Sequence, residues 1–360
     1  PINFWFTLAA KMAFPLVALQ YNELEINITL RPVQELIVIR DVTDQENNYP
    51  YIQPNFNESL QQFYRFLQPP PDVSLNATSS YQDKRTNWNA DVHLISTYGF
   101  LSEEESKVFA AREQKYLFKS IYDWKFFNVT GSQRVKLENT MGMVSSWMWE
   151  FQRTDINLRN EWSNYTNWPY KYLPQEVDFA DVSGNWTILD CSGATNIGPG
   201  YNPATGQHTG YFTTGDFAPQ NQKDILLQLG ILLDGKYREN MLDAGIYNYV
   251  EKYVRTSGNA PDGLYNYSFA IHNDPFDFQP SGAMNMSKFR DIQLEFTTYS
   301  PPLDPAAQSF TICDPLTGEI IGINKPTWRI YDYNYNLTVF EERYNIITFV
   351  GGNCSLMYAR

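Results

Sequence analysis

The sequence has little cysteine and fewer basic than acidic residues. The three cysteines, Cys191, Cys313 and Cys354, are widely spaced and odd in number, and no two form a Cys-x-x-Cys pair. This spacing excludes a cysteine-based metal site and predicts free thiols in a reducing compartment. The chain has 27 Lys and Arg against 40 Asp and Glu, so its formal net charge is −13. Phosphate binding needs clustered basic residues, and we therefore predict no direct contact with nucleic acid.

Motifs of enzyme chemistry are also missing. The chain contains three histidines, far apart and in no metal-binding spacing: His93, His208 and His272. It has no Gly-x-Ser-x-Gly nucleophile motif, no phosphate-binding loop and no dinucleotide fingerprint. We predict that the protein is not an enzyme and that it needs no cofactor and no metal. A pair of carboxylates for glycoside cleavage stays open, because such pairs meet only in the folded chain.

Long hydrophobic runs and targeting segments are absent too. The longest apolar stretch, residues 4–19, is interrupted by Lys11 and Pro15, so we predict no transmembrane helix. No secretory signal peptide is visible, and the chain begins with Pro1 rather than Met. We expect a fragment or a processed chain.

Alternating polarity is the main positive signal. Apolar and polar residues alternate over 24–30, 227–233, 292–297 and 331–339, which is the period of a strand with one buried face. Asp234-Gly235 follows the second of these strands as a tight-turn signal. Aromatic residues make up 16% of the chain and suit pleated, half-buried surfaces. The sequence therefore predicts an all-β chain, built as an antiparallel sandwich or barrel.

Segments of different character follow one another along the chain. They are a strand-rich start over 1–40, an Asn-, Gln- and Pro-rich stretch over 41–90, a strand over 91–101, a helix from 102, strands over 121–129 and 144–153, a Gly-, Pro-, Asn- and Tyr-rich segment over 154–224, and a strand-dense end over 225–360. The helix is predicted from a capping box in which Ser102 is followed by Glu105. A loop as long as 154–224 is usually functional or a surface elaboration.

Two separated blocks carry a resemblance to a known family. They are FPLVALQYNELEINITL (14–30) and LYNYSFAIHNDPFDFQPSGAMNMSKF (264–289), and the second contains the turn Gln279-Pro280-Ser281-Gly282. In this order and at this distance, the blocks resemble the major capsid protein of the nucleocytoplasmic large double-stranded DNA viruses, of the algal and protist giant-virus type. The Gly-rich tail fits as well, although it reads Gly-Gly-Asn and not the more usual Gly-Met-Gly-Gly.

The resemblance implies a double jelly roll, that is, two tandem eight-stranded antiparallel β-sandwiches. Residues 1–101 would be the C-terminal part of the first jelly roll, with an insertion at 41–90. Residues 102–118 would be a linker helix, and 119–360 the second jelly roll with a long outer loop at 154–224. Eight strands need more chain than 1–101 offers, so we expect the first jelly roll to be incomplete here, with its early strands upstream of Pro1.

The resemblance also implies a function. Three copies would form a homotrimeric, pseudo-hexagonal capsomer, and capsomers would tile the icosahedral shell of the virion. The implied partners are neighbouring capsomers and minor capsid proteins beneath the shell, with an inner membrane nearby that the chain does not span. The implied location is the virion capsid, assembled in the host cytoplasm.

Ten Asn-x-Ser/Thr sequons occur. Those within strands, such as Asn27 and Asn336, are expected to have structural roles, whereas Asn164 and Asn185 in the long loop are the better candidates for glycosylation. The sequons, the acidity and the loop aromatics keep an alternative open, a secreted β-sandwich that binds or cleaves carbohydrate. A signal peptide and paired cysteines would favour that alternative, and neither is visible.

Overall fold

The structure is a computed structural model that describes residues 2–41, 51–68, 81, 83–86, 91–158, 160–168, 187–189, 195–197, 201–202, 207–208, 223–258, 260–274, 279–300, 310–313, 320–324 and 333–358. Its strands are β1 (Ile39–Arg40), β2 (Tyr51–Ile52), β3 (Gln114–Val129), β4 (Ser132–Lys136), β5 (Met143–Arg153), β6 (Thr187–Leu189), β7 (Thr195–Ile197), β8 (Tyr201–Asn202), β9 (Gln207–His208), β10 (Leu226–Leu233), β11 (Lys236–Asp243), β12 (Leu264–Ser268), β13 (Met284–Asn285), β14 (Ile292–Thr298), β15 (Phe310–Cys313), β16 (Ile320–Asn324), β17 (Tyr335–Val350) and β18 (Asn353–Leu356).

Helices are short in the described part of the chain. The α-helices are α1 (Glu103–Ala111) and α2 (Glu251–Arg255), and a π-helical turn, Ile246–Val250, leads directly into α2. Single 3₁₀ turns lie at Trp5–Thr7, Ala10–Met12, Leu16–Ala18, Val33–Leu36, Phe63–Arg65, Ile156–Leu158 and Met286–Lys288. None of the helices in the described ranges has both the length and the hydropathy needed to cross a bilayer.

Two antiparallel sheets form the body of the fold. One has the strand order β4-β14-β10-β11, and the other has the order β3-β17-β5-β12, with β18 added beside β17 and β13 beside β5. The strands that pair are mostly far apart in sequence, which is the topology of a jelly roll rather than of a simple meander. The remaining strands pair as two-stranded ribbons, β1 with β2, β6 with β7, β8 with β9 and β15 with β16. The predicted all-β class is confirmed.

The core fills the space between these two sheets. Trp147, Trp149 and Phe151 occupy alternate positions of β5, and each is at most 1% exposed. Alternate residues of the other central strands meet them, including Leu294 and Phe296 of β14, and Phe151 and Phe296 stack edge to face with their centroids 5.3 Å apart. Aromatic side chains of this size bury 150–250 Å² each by general experience, so this layer dominates the stability of the sandwich.

The predicted strand turns are confirmed where the structure describes them. Asp234 and Gly235 join β10 to β11, and both have positive φ, 51° and 75°. This pair of angles is that of the type I′ turn, whose twist matches two adjacent strands. Ser281 of the Gln-Pro-Ser-Gly turn also has a structural contact, because its hydroxyl accepts from the His272 amide at 3.0 Å and donates to the His272 carbonyl at 2.7 Å.

The N-terminal segment packs on the far end of the second sheet. Trp5 and Phe14 lie against Phe118 and Phe349, with ring centroids 5.2 Å apart for Trp5–Phe118 and 5.1 Å for Phe14–Phe349. The carbonyl of Gly352 accepts hydrogen bonds from the amides of residues 20 and 21 at 2.9 and 3.0 Å. A side chain at position 352 would meet this segment at 2.9 Å, so only glycine fits there.

Two predicted strands and the length of the predicted helix are wrong. Residues 24–30 and 91–101 form no strand, and apart from the half-buried Ile26 their side chains are exposed. A segment becomes a strand only where a partner offers hydrogen bonds, and the described residues offer these two segments none.

The helix predicted over 102–118 begins as expected, with the Ser102–Glu105 capping box formed, but it ends at Ala111. Residues 114–118 pair instead with 345–349 of β17, and Tyr116 and Phe118 join the aromatic cluster there. Long-range pairing thus overrides the local helical preference.

The predicted domain boundaries stay predictions. Of the outer loop placed at 154–224, the structure describes 154–158, 160–168, 187–189, 195–197, 201–202, 207–208 and 223–224, and the rest lies outside the described residues. Residues 314–319 lie outside them too, and the strands on either side, β15 and β16, pair with each other.

Candidate functional site

Groups that could hold a metal do not gather in the described part of the chain. No cluster of three or more His, Cys, Asp or Glu side chains forms there. His93 and His272 are both exposed, and His93 lies 3.2 Å from the carboxylate of Asp91. The side chain of His208 lies outside the description. Cys354 has a free thiol, and burial raises its pKa.

A buried ion pair lies in the core at the middle of β17. Glu341 is 0% exposed and accepts from the indole Nε1 of Trp147 at 2.7 Å and from Nε of Arg343. The Arg343 guanidinium lies 3.9 Å from the ring centroid of Tyr122 and donates to the Asn139 carbonyl at 3.2 Å. Glu341 and Arg343 thus bind each other and groups of the protein itself, which indicates that the cluster holds β3, β5 and β17 together.

A second buried ion pair lies at the C-terminal end of β5. Arg153 donates to both carboxylate oxygens of Asp155, at 2.9 and 2.7 Å, and to the Asn167 carbonyl at 2.7 Å. The side-chain oxygen of Asn167 accepts from the hydroxyls of Tyr333 and Tyr335 at 2.7 and 2.9 Å. These contacts attach residues 164–168 to the sandwich.

One carboxyl on the outer face of this sheet has a strongly shifted pKa. Glu150 points away from the core, and segment 160–168 covers it. Burial raises its pKa to about 7, and a hydrogen bond from Tyr165 and the charge of Lys125 oppose the shift only partly. The same segment crosses Gly263, where an added Cβ would lie 2.1 Å from the Tyr165 carbonyl oxygen.

A cleft of about 310 Å³ lies between β11, α2 and the end of β12. Its charged lining residues are Arg238, Glu239, Glu251 and Arg255. Glu239 accepts from the Tyr267 hydroxyl at 2.6 Å and lies 3.7 Å from Arg238, so the charges of Glu239 and Arg238 compensate each other. The cleft has the character of a polar surface groove rather than of a charged ligand site.

Exposed apolar surface is the most prominent feature of the described residues. Over 91–101, Ile95 is 85% exposed and Phe100 is 95% exposed. Strand β3 also carries apolar residues on its outer face, with Ile121 at 61% and Phe127 at 68%. Contiguous exposed apolar groups on a soluble protein mark interaction surfaces. These exposed apolar surfaces are therefore the candidate functional sites of the described residues.

The β3 surface was missed at the level of sequence. The clue was present, because apolar residues stand on both faces of 121–129. Tyr122, Trp124 and Phe126 face the core side, and Ile121 and Phe127 face outward. A strand with one solvated face should show apolar residues on one face only.

The structure argues against glycosylation of Asn164. Its side chain is 1% exposed; the amide nitrogen donates to the Trp168 carbonyl at 2.8 Å, and the oxygen accepts from the backbone and hydroxyl of Thr166 at 3.0 and 2.7 Å. The sequon here closes a tight turn, and the nitrogen that a glycan would occupy is already bonded. Asn185, the other candidate, lies outside the described residues, and its glycosylation stays a prediction.

Comparison with known proteins gives two family matches and two curated relatives. A model described as the large eukaryotic DNA virus major capsid protein matches residues 105–355, and one described as the major capsid protein N-terminus matches residues 1–81. The major capsid protein of Paramecium bursaria Chlorella virus 1 is 24% identical over 100% of this chain, and that of Phaeocystis pouchetii virus is 23% identical over 94%. The chain spans 66% and 62% of the length of these two relatives.

Two solved structures are similar to part of this chain. The capsid of PBCV-1 matches with a TM-score of 0.44 and 23% identity, over 72% of this chain and 55% of that chain. The Faustovirus major capsid protein matches with a TM-score of 0.40 and 12% identity, over 69% and 36%. Because a family model matches well over half of its residues, this chain belongs to the family of large eukaryotic DNA virus major capsid proteins.

Proposed function

We propose that this chain is part of the main structural subunit of a large DNA virus capsid, and that it acts by association rather than by catalysis. The family match over 105–355 is the observation on which the proposal rests. The jelly roll itself fits this role. Its two sheets pack around one core, and the matching family is described as the large eukaryotic DNA virus major capsid protein.

In this proposal, three copies form a homotrimeric capsomer with a pseudo-hexagonal outline, and capsomers tile an icosahedral shell. The partners are the other two subunits, neighbouring capsomers and minor capsid proteins beneath the shell. The exposed apolar residues of 91–101 and of β3 support association, since such surfaces are uncommon on monomers. A net charge of −13 supports a subunit that does not contact the genome directly.

The proposed location is the virion, with assembly in the host cytoplasm. The free thiol of Cys354 is in keeping with a reducing compartment. An inner membrane would lie near the subunits without being crossed by this chain.

Mass measurement in solution tests the capsomer. The protein that contains this chain, purified at micromolar concentration, is expected to run as three copies by light scattering and by native mass spectrometry, because closed symmetry satisfies all copies of an interface. Mass spectrometry of purified virions is expected to find it as the most abundant shell protein. A stable monomer, or absence from the virion, would contradict the proposal.

A further inference from the structure

A polar cluster lies on the second sheet, on the face opposite the core. Lys119 of β3, Ser146 of β5, Glu342 of β17 and Asn273, which follows β12, bring their side chains together there. The side chains of Lys119 and Glu342 are each 16% exposed, Asn273 is 8% exposed and Ser146 is 0% exposed. An amine, a carboxamide and a carboxylate are thus in mutual contact where water has little access.

The Asn273 carboxamide is held between the amine and the carboxylate. Its Oδ1 accepts from Lys119 Nζ, so the amine lies beside the carbonyl carbon Cγ to which that oxygen is bonded. Its Nδ2 donates to Glu342 Oε2 at 2.7 Å and to Ser146 Oγ at 2.6 Å. The same Glu342 oxygen lies 3.4 Å from Lys119 Nζ. One carboxylate oxygen therefore contacts both the nucleophile and the leaving group of an amide exchange.

The fold holds each of these groups from a different element. Lys119 and Ser146 lie on the two strands that flank Glu342, namely β3 and β5. The backbone amide of Asn273 donates to the carbonyl of Arg255, the last residue of α2, at 2.7 Å. Groups that a scaffold holds in a reactive geometry reach effective concentrations of about 10⁵–10⁸ M. This arrangement can therefore promote a reaction that free amines and amides undergo only very slowly.

We propose that Lys119 and Asn273 become joined by an intramolecular isopeptide bond, with Glu342 as the catalytic residue. Glu342 takes a proton from the Lys119 ammonium, because only the neutral amine has a lone pair with which to attack. The amine then attacks Cγ of Asn273, a bond forms between Nζ and Cγ, and the bond between Cγ and Nδ2 breaks. Both protons that Nζ gives up pass to the leaving nitrogen, which departs as ammonium, and Glu342 ends ionised as it began. Atoms and charge balance without any oxidant or other co-reactant.

The bond would tie one edge of the sheet to the other. Strands β3 and β12 lie at the two ends of the order β3-β17-β5-β12, and the two linked side chains are 154 residues apart along the chain. A covalent link that closes a loop of this length restricts the unfolded chain as a disulfide does, and it needs no cysteine. The link lies within one subunit, so the inference goes beyond the proposed function and does not rest on it.

Mass spectrometry tests the inference on the protein that contains this chain, made in bacteria and natively folded. Its intact mass should be lower than the sequence mass by one ammonia molecule. Trypsin does not cleave after an acylated lysine, so the digest should contain residues 116–125 joined to residues 256–288 in one branched peptide. Closure of an asparagine to a succinimide also loses ammonia, but it leaves these two peptides separate. Separate peptides from the folded protein, whatever its intact mass, would overturn the inference.

Three variants separate the chemistry from the packing. Lys119→Arg keeps the positive charge without the amine nucleophile and should abolish the link, whereas Lys125→Arg, on the same strand but at a 60% exposed side chain, is the matched control and should link like the parent. Glu342→Gln keeps the shape of the side chain but cannot take the proton, so it should slow linking by about 10²–10⁴-fold in a time course after synthesis. Circular dichroism confirms that each variant is folded. Linking at the parent's rate in folded Glu342→Gln would refute the catalytic role of Glu342, and the digest of the parent decides the link itself even where a variant does not fold.

Discussion

Replacing Glu341 by Gln should destabilise the sandwich strongly, because it removes the charge that balances a buried arginine. Arg343 is 4% exposed, and Glu341 is its only carboxylate within salt-bridge distance among the described residues. Breaking a buried ion pair by removing one partner costs about 3–5 kcal/mol. For a sandwich of this size that loss lowers the midpoint of thermal unfolding by roughly 6–20 °C.

A paired replacement should cost much less. In Glu341→Leu/Arg343→Met neither charge is buried, and we expect it to retain at least about 2 kcal/mol of the stability that the single variant loses. The matched control is Glu103→Gln, which breaks the exposed i,i+4 pair with Lys107 on α1 and should cost under about 0.5 kcal/mol.

Urea unfolding followed by circular dichroism and by tryptophan fluorescence measures all three variants. Two probes are needed because Trp147 donates to Glu341, so its emission responds directly to the substitution. The reasoning is refuted if Glu341→Gln lies within about 1 kcal/mol of the parent, or if the paired replacement is as unstable as the single.

Three other outcomes follow from features of the fold. Gly263→Ala should displace segment 160–168 and make it sensitive to protease, because the new Cβ meets the Tyr165 carbonyl, whereas Gly258→Ala, also at positive φ but in open space, should leave the segment protected. The pKa of Glu150 is raised to about 7 from its usual 4.5, so this carboxyl ionises at lower pH in the unfolded chain than in the folded one, and the free energy of unfolding should fall as the pH rises from about 4.5 through 7. In unfolding titrations at several pH values, Glu150→Gln should remove that fall. An unchanged pH profile in this variant would reject the assignment to Glu150. Chymotrypsin should cut within 91–101, at Tyr98 or Phe100, before it cuts the buried strands β5 and β17, and cleavage that begins in either of these strands would contradict this.

The central strands of the sandwich were predictable from sequence. The period of two over 227–233, 292–297 and 331–339 predicted β10, β14 and the start of β17, because each strand has one face against the core. The same period over 24–30 does not correspond to a strand, and the strand predicted over 91–101 is also absent. Alternation records which face would be buried, but pairing depends on a partner strand, and no local pattern reports whether one is present.

The candidate site was less predictable. The sequence predicts the start of β3 as the end of a helix. The strand there was not predictable because its partner, the second half of β17, lies more than 200 residues away along the chain. The sequence predicts a surface site at the Asn164 sequon, and only the fold shows that the side-chain amide of Asn164 is hydrogen-bonded to Trp168 and Thr166. That β3 is an edge strand among the described residues is a property of topology, which no single segment of the sequence indicates.

The position of β17 in the sequence has a consequence for synthesis. This strand lies between β3 and β5, yet Lys119 and Glu342, which meet across the sheet, are separated by 223 residues. A ribosome will therefore have released β3, β5 and β12 well before the strand that joins them emerges. Chains with such distant contacts fold slowly, and their apolar strands stay uncovered in the meantime. We expect newly made chains to depend on a chaperone until residues 335–350 are available, and truncation before residue 335 to yield aggregates rather than a smaller folded domain.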